Sequence, residues 1–344
     1  MYCASARTPA ACKITPPYNI RMIAYLIRRL LYALPILIGV NLLTFALFFV
    51  VNTPDDMARM QLGVKRVPPE AIVLWKQQHG YDKPLMINHA AAGAKQFTNT
   101  IFWQKSASMF VLDFGYSDDG RNISREIVTR MGPSLSIALP TFLAGLVIYV
   151  SFALLMTLFR ATALDIAGVT LCVMLMSISG LFYIIGGQFL IGKLWHLVPV
   201  SGYGGGGFKF VVLPVVIGII GGIGSSSRWY RAIFLEEIGR DYVRTARAKG
   251  LSELQVLFIH VLKNAMIPIL TGVVVVIPLL FMGSLLTESF FGIPGLGSYT
   301  IDAINAQDFS VVRAMVFLGS LLYIAGLILT DISYTLVDPR VRLS

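Results

Sequence analysis

The sequence predicts an all-α integral membrane protein with six transmembrane helices. Three observations carry that expectation. Of 344 residues, 56% are apolar and only 13% charged, against roughly 45–50% and about 25% in soluble domains. Mean hydropathy is +0.73, which excludes disorder along with a soluble globular domain. The apolar residues gather into charge-free stretches at 30–51, 134–159, 166–192, 210–227, 264–287 and 314–330, each close to the roughly 17–25 residues a helix needs to cross the hydrocarbon core. Nothing alternates with the period of barrel strands, and in lipid only helices or closed barrels satisfy their own backbone.

Taken in order, residues 1–21 read as an extension. They contain Ala, Pro and Cys and lack the apolar core of a signal peptide, so Met22 is expected to be the natural start. Residues 22–51 form the first span, anchored by Arg28 and Arg29. Residues 52–133 are long enough for a small fold of their own. Trp75, Phe97, Phe102, Trp103 and Phe110 supply its core or a surface lying on the membrane. Residues 134–337 hold five further spans, the last continuing past Asp331 to 337, and 338–344 are a tail. The largest piece between spans of this core is 228–263. Residues 289–301, with F-F-G-I-P-G-L-G-S, carry turn chemistry and read as a loop.

Six spans put both termini on one side. With the N-terminus in the cytoplasm, that side holds 15 Lys+Arg against 7 Asp+Glu. Of the 13 other basic residues, 10 lie in 52–133, a segment long enough to translocate largely regardless of its charge. An N-in, C-in topology follows, with 52–133 as an extracytoplasmic insertion after the first helix. The net charge of +10 then reads as orientation, not as nucleic-acid binding. Cys3, Cys12 and Cys172 make no disulfide framework, and His79, His89, His196 and His260 stand alone, so no metal site is expected.

The information is concentrated in 228–263. Gly239 is expected to close one helix in the left-handed conformation. Asp241 should N-cap a short helix over 242–249, and Gly250 should end it. Ser252 and Gln255 have the spacing of a capping box that opens the next helix. Arg247 and Lys249 near the C-terminal end suit the helix dipole. The product is a compact cationic knob between two spans. Thr245, Ala246 and Ala248 are small enough for another protein to approach closely. Composition alone also allows a solvated basic loop that only sets orientation.

This stretch resembles the loop shared by inner-membrane permease subunits of ABC importers, whose pattern is E-A-A, three residues, then Gly, with a later Pro. Arg244-Thr245-Ala246 stands at the triplet, with Gly250 in register and Pro268 downstream. Arg244 and Thr245 replace the family's Glu and first Ala. D-Y-V-R-T-A-R-A-K-G-L at 241–251 is similar to the peptide/nickel branch, the oligopeptide and dipeptide permeases of the B type. So are Y-L-I-R-R-L-L-Y-A-L-P-I-L at 25–37, G-Y-D-K-P-L at 80–85, D-F-G-Y-S at 113–117, T-E-S-F-F-G-I-P-G-L-G at 287–297, D-A-I-N-A-Q-D-F at 302–309 and D-I-S-Y-T-L-V-D-P-R-V-R at 331–342. Thr53-Pro54-Asp55-Asp56 departs from the branch's P-G-D-P-like turn.

The resemblance implies the type I ABC importer permease fold and a mechanism. The short helix would seat in a groove of a cytoplasmic ATPase, with Asp241, Tyr242, Arg244, Thr245, Ala246, Lys249 and Gly250 at the contact. Two ABC ATPase subunits would burn ATP. A second homologous permease would complete the pore, and an extracytoplasmic substrate-binding protein would deliver a peptide or related solute. This chain has no G-x-x-x-x-G-K-[ST] and is expected to bind no cofactor of its own, ATP being used by its partners.

The remaining motifs read as structural. Residues 204–207 form a glycine turn. Gly218 and Gly222 make a G-x-x-x-G that lets helices pack closely, within this chain or against the partner permease. Pro268 and Pro278 bend the fifth span as hinges or as packing kinks. Glu288 and Asp331 border spans, where ionisable residues line a solute path or serve as an interfacial helix end or in an ion pair such as Asp331 with Arg340. A stand-alone secondary transporter or channel is the alternative. It would need ionisable residues in mid-span, and the six stretches hold none. A membrane enzyme lacks any nucleophile–base or metal constellation.

Overall fold

The computed structural model describes residues 18–63, 67–89, 93–204 and 207–337. Among these the chain is helical, with a single isolated β-bridge between Tyr116 and Asn122. Helix α1 (Tyr18–Ala46) runs on through a π-turn at Leu47–Val51. It already begins four residues before Met22. Most of the expected N-terminal extension and the whole tail 338–344 lie outside the described residues.

The expected insertion holds α2 (Pro54–Leu62), α3 (Pro69–His79), α4 (Lys95–Thr98), α5 (Ile101–Lys105) and a 3-10 turn at Ala107–Val111. The turn that departs from the branch pattern is a helix start. Thr53 and Asp56 form a capping box, with Pro54 in the first turn, where its missing N–H costs nothing. Among the described residues, the buried apolar side chains of the insertion cluster with those of neighbouring spans. Met57, Ala58, Ile72, Trp75, Tyr81 and Ile101 pack with Phe45 and Phe49 at the end of α1, with Phe309 beside them. Trp75 and Phe102 join that cluster, whereas Phe97, Trp103 and Phe110 stay exposed.

Five helices are long and apolar enough to cross a membrane: Ile27–Val51, Ile123–Leu158 (α6), Phe208–Ile238 (α9), Glu253–Met282 and Phe309–Ser333. The expected third span is instead broken. α7 (Ala163–Ser177) and α8 (Gly180–Gly187, extended by a π-turn to Leu194) meet at 87°. Ile178 and Ser179 are extended between them, so an unbroken apolar run hides a corner. Counting that pair as one span restores six.

The other spans also outrun their charge-free stretches. α6 begins at Ile123, eleven residues ahead of the expected start at 134. α9 runs to Ile238, so the expected loop 228–263 shrinks to a few residues on either side of α10 (Asp241–Ala248). The fifth span begins at Glu253 (α11, Glu253–Gln255), passes a π-turn at Val256–Val261 into α12 (Leu262–Val276), and ends in a 3-10 turn at Ile277–Met282. Gly283, at φ 68, breaks it there. Residues 289–301, expected as a loop, are mostly α13 (Leu285–Phe291) and α14 (Leu296–Asn305) around a tight turn. α15 (Phe309–Val337) closes the chain.

Packing follows the small residues. Gly218 and Gly222 lie against α6 of the same chain, where Thr141 and Tyr149 occupy the space a side chain would need. The Tyr149 hydroxyl donates to the Ile219 carbonyl at 2.9 Å, so the glycines admit a cross-helix hydrogen bond as well as close approach. Pro268 sits inside α12, and Pro278 opens the 3-10 turn where the span loses α-helical geometry. Asp331 pairs with Arg29 at 2.9 Å and ties α15 to α1. Its expected partner, Arg340, lies outside the described residues, as do 205–206 of the glycine turn.

Candidate functional site

The short helix α10 hangs between two membrane-length helices, and its ends are set by local chemistry. α9 closes at Gly239 with φ −73, not in the expected left-handed form. The backbone carbonyls of Glu236 and Glu237 accept from the Gly239 and Arg240 amides at 3.2 and 3.1 Å. Arg240 turns extended, and Asp241 becomes the first helical residue rather than the N-cap. Its carboxylate still favours the positive end of the dipole. At the other end Gly250 takes φ 82. The Gly250 amide bonds the Arg247 carbonyl at 2.9 Å, and the Leu251 amide the Ala246 carbonyl at 3.4 Å, which together make a Schellman stop. Ser252 and Gln255 then form the expected capping box. Two turns of helix are thus closed at both ends by bonds the sequence itself provides.

The helix has two faces. Val243 and Ala246, three residues apart, point inward at 0% and 4% exposure. They pack with Ala153 and Leu154 of α6, Phe234 and Ile238 of α9, and Val256, Leu257 and Val261 of the fifth span. The outward stripe is Asp241, Arg244, Thr245 and Ala248, at the i, i+3, i+4, i+7 spacing of one helix face. Arg247, Lys249 and Gly250 are exposed beside it. Of the residues expected at a contact, Ala246 faces into the protein and Tyr242 is half-buried.

Charges around the helix are held in place. Arg247 grips Glu253 with two bonds, at 2.8 and 3.0 Å, across the turn. Arg240 bonds Glu236 at 2.9 Å. The Tyr242 hydroxyl donates to Glu237 at 2.7 Å. Burial, with the Glu237 carboxylate, pushes its pKa up to about 12, so it stays a neutral donor. Val243, Glu237 and Glu253 escaped the sequence reading. The spacing of Val243 and Ala246 was the available signal for the first; the two glutamates become partners only once the turns are formed.

A cavity of about 560 Å³ opens between α6, α9, α12 and the start of α13, lined by Thr141, Tyr149, Trp229, Gly272 and Glu288 among others. Glu288, 1% exposed, closes one end. Its carboxylate accepts the amides of Ser284, Gly297 and Ser298 at 3.2, 2.7 and 3.2 Å. Glu288 stands in the first turn of α13 and lines this cavity, and no arginine pairs with it among the described residues.

Residues 19–343 match the model of the binding-protein-dependent transport system inner membrane component. The dipeptide transport system permease protein DppB of Escherichia coli K12 is 29% identical over 352 aligned residues, covering 93% of this chain and 99% of that protein. The glutathione transport system permease protein GsiC of Salmonella choleraesuis is 30% identical over 330, with the same coverage.

Proposed function

The chain belongs to the family of binding-protein-dependent transport system inner membrane components, and we propose that it forms half of a peptide-conducting path driven through α10. It is a multi-pass permease subunit of an ABC importer in the inner membrane, a transport component and not an enzyme. The excess of basic residues supports N-in, C-in, which puts α10 in the cytoplasm and the insertion outside. Two cytoplasmic ATPase subunits bind and hydrolyse ATP there. A second homologous permease faces the central cavity, and an extracytoplasmic binding protein delivers the solute. Lipid covers the outer faces; nucleic acid has no part.

One observation carries the mechanism: α10 is free on one face and fused to three spans on the other. The stripe of Asp241, Arg244, Thr245 and Ala248, with Lys249 and Gly250 at its end, is the surface an ATPase groove grips. Val243 and Ala246 make α6, α9 and the fifth span move with it. A push on the stripe therefore becomes a tilt of the cavity walls, and no loose linker absorbs it. The names of the two relatives, one of dipeptide and one of glutathione transport, support a peptide or related solute.

The test is Gly250→Arg in the assembled importer. Gly250 has φ 82 and nothing within 4 Å of an added Cβ, so the change strains the stop and places a bulky cation at the contact without crowding this chain. Loss of ATPase copurification and of peptide uptake is expected. Normal assembly with normal uptake would overturn the assignment of this helix, and uptake by the chain alone in liposomes would overturn the importer reading itself.

A further inference from the structure

We propose that the polar cavity between the insertion and the start of α15 binds the free carboxylate of a small zwitterionic peptide through Lys105 and Arg313. The importer reading supplies the side of the membrane and the solute class. The cavity measures about 590 Å³, within the range of small-molecule pockets, about 300–1,000 Å³.

The argument starts from Arg313, which lines this cavity at 2% exposure. A buried charge is ordinarily paired. Arg313 instead donates from Nη2 to the Lys105 carbonyl at 2.8 Å and to the Ser106 hydroxyl at 3.1 Å, and lies 4.8 Å from the centre of the Phe49 ring. Both acceptors are neutral, and no carboxylate among the described residues reaches it. The side chain of Lys105 lines the same cavity, half-buried, with its ammonium 5.5 Å from the Tyr81 ring and no ion pair among the described residues. Burial and the neighbouring Arg313 both hold its pKa below the ordinary lysine range. Asp118, on the same lining, offsets part of the Lys105 charge, yet neither cation forms an ion pair with a carboxylate among the described residues.

The nearby acids are already engaged. Asp118 lies 3.4 Å from His79 and accepts from Gln61 at 2.6 Å. Asp308 accepts the amides of Asp118 and Val311 at 2.9 and 3.1 Å. No carboxylate among the described residues is left to pair with Lys105 and Arg313, and the proposal assigns that place to the solute. Its chemistry is narrowed by Asp113 and Asp118 on the same lining. They repel a plain anion and favour a solute that also carries an ammonium group. A free peptide has both.

The test is equilibrium dialysis of alanyl-alanine against the importer assembled from both permeases and both ATPases, with no binding protein. Saturable binding is expected, about ten-fold weaker for alanyl-alanine amide, for inorganic phosphate and for Lys105→Gln, as loss of one charge-assisted pairing implies. Lys105→Arg should retain it. Equal binding of the acid and the amide, wild-type binding by Lys105→Gln, or phosphate binding as tightly as the dipeptide would each overturn the proposal. So would displacement of alanyl-alanine by peptide-free binding protein whose docking Lys105→Gln weakens, since the carboxylate would then be that protein's. Arg313→Gln is not needed, because its buried bonds could affect folding. Binding-protein-stimulated ATP hydrolysis in the same preparation reads the importer assignment separately and persists if only this site is wrong.

Discussion

Helix α10 and the turn around Glu288 are both short connections next to spans, both punctuated by glycine, and they treat charge in opposite ways. They sit towards opposite ends of α6, one packing against Ala153 and Leu154, the other meeting Ser134. α10 buries only Val243 and Ala246 and turns its ionic residues out. The turn at 283–298 turns its one carboxylate in and wraps three backbone amides around it. The difference separates two uses of a charge. An exposed charge on a rigid base is available to a partner. A buried one, satisfied by backbone, fixes the shape of its own surroundings. Substitutions at the turn should therefore be felt as stability, and those on the stripe as coupling.

The largest expected effect is Glu288→Ala. It strands three amide donors in a closed place, and a buried group left unpaired costs about 1–3 kcal/mol. A fall in unfolding midpoint in detergent, with loss of order in α13 and α14, is the expected outcome. An unchanged midpoint would break the comparison at its stronger end. Glu288→Gln sharpens it. Burial raises the carboxyl above its ordinary value of 4.5, while Ser134 and the three amides pull it back. The folded protein thus holds this proton more tightly than the unfolded chain. Its contribution to stability is complete below 4.5 and is lost as pH rises through the raised value. Midpoints measured across that window should fall with rising pH in the native chain and change less in Glu288→Gln.

A middle case is Val243→Ala, which removes two methyl groups from under α10 and should cost about 1–2 kcal/mol. The stripe stays intact, so ATPase copurification should persist while uptake falls, because a loosened helix absorbs the push. Faster amide exchange at 241–251 is the measurement that ties the two together. Unchanged exchange with reduced uptake would mean that the inner face is not what transmits.

Much of this was legible in the sequence, and the omissions have physical causes. The capping box at Ser252 and the stop at Gly250 were readable because each is a local bond set by neighbours in sequence. The corner at Ile178–Ser179 was not, because an apolar run looks the same whether the helix continues or folds back. Residues 289–301 read as a loop because glycines there suggest turns. In the structure Gly297 and Ser298 instead begin a helix on the Glu288 carboxylate. Arg313 was passed over as the edge of a charge-free stretch, yet α15 starts four residues earlier and buries it. Charge-free runs mark where lipid is tolerated and miss charges that a neighbouring segment covers, as the insertion covers Arg313.

The smallest structural effect, and the sharpest test of the division, is Arg244→Ala. Arg244 lies on the exposed stripe, 3.5 Å from Asp241 in a pair whose side chains are 77% and 96% exposed, and such surface pairs contribute little to stability. The unfolding midpoint should not move measurably, and amide exchange in α10 should match the native chain. ATP hydrolysis in the assembled importer should lose its dependence on the binding protein, because the stripe would lack the cation nearest its centre. Arg244→Lys keeps the charge but not the planar fork. Rescue by Lys would mean that the ATPase groove reads charge alone, and failure of that rescue would mean it holds the guanidinium through paired bonds. A fall in stability with coupling intact would reverse the roles assigned to the two regions.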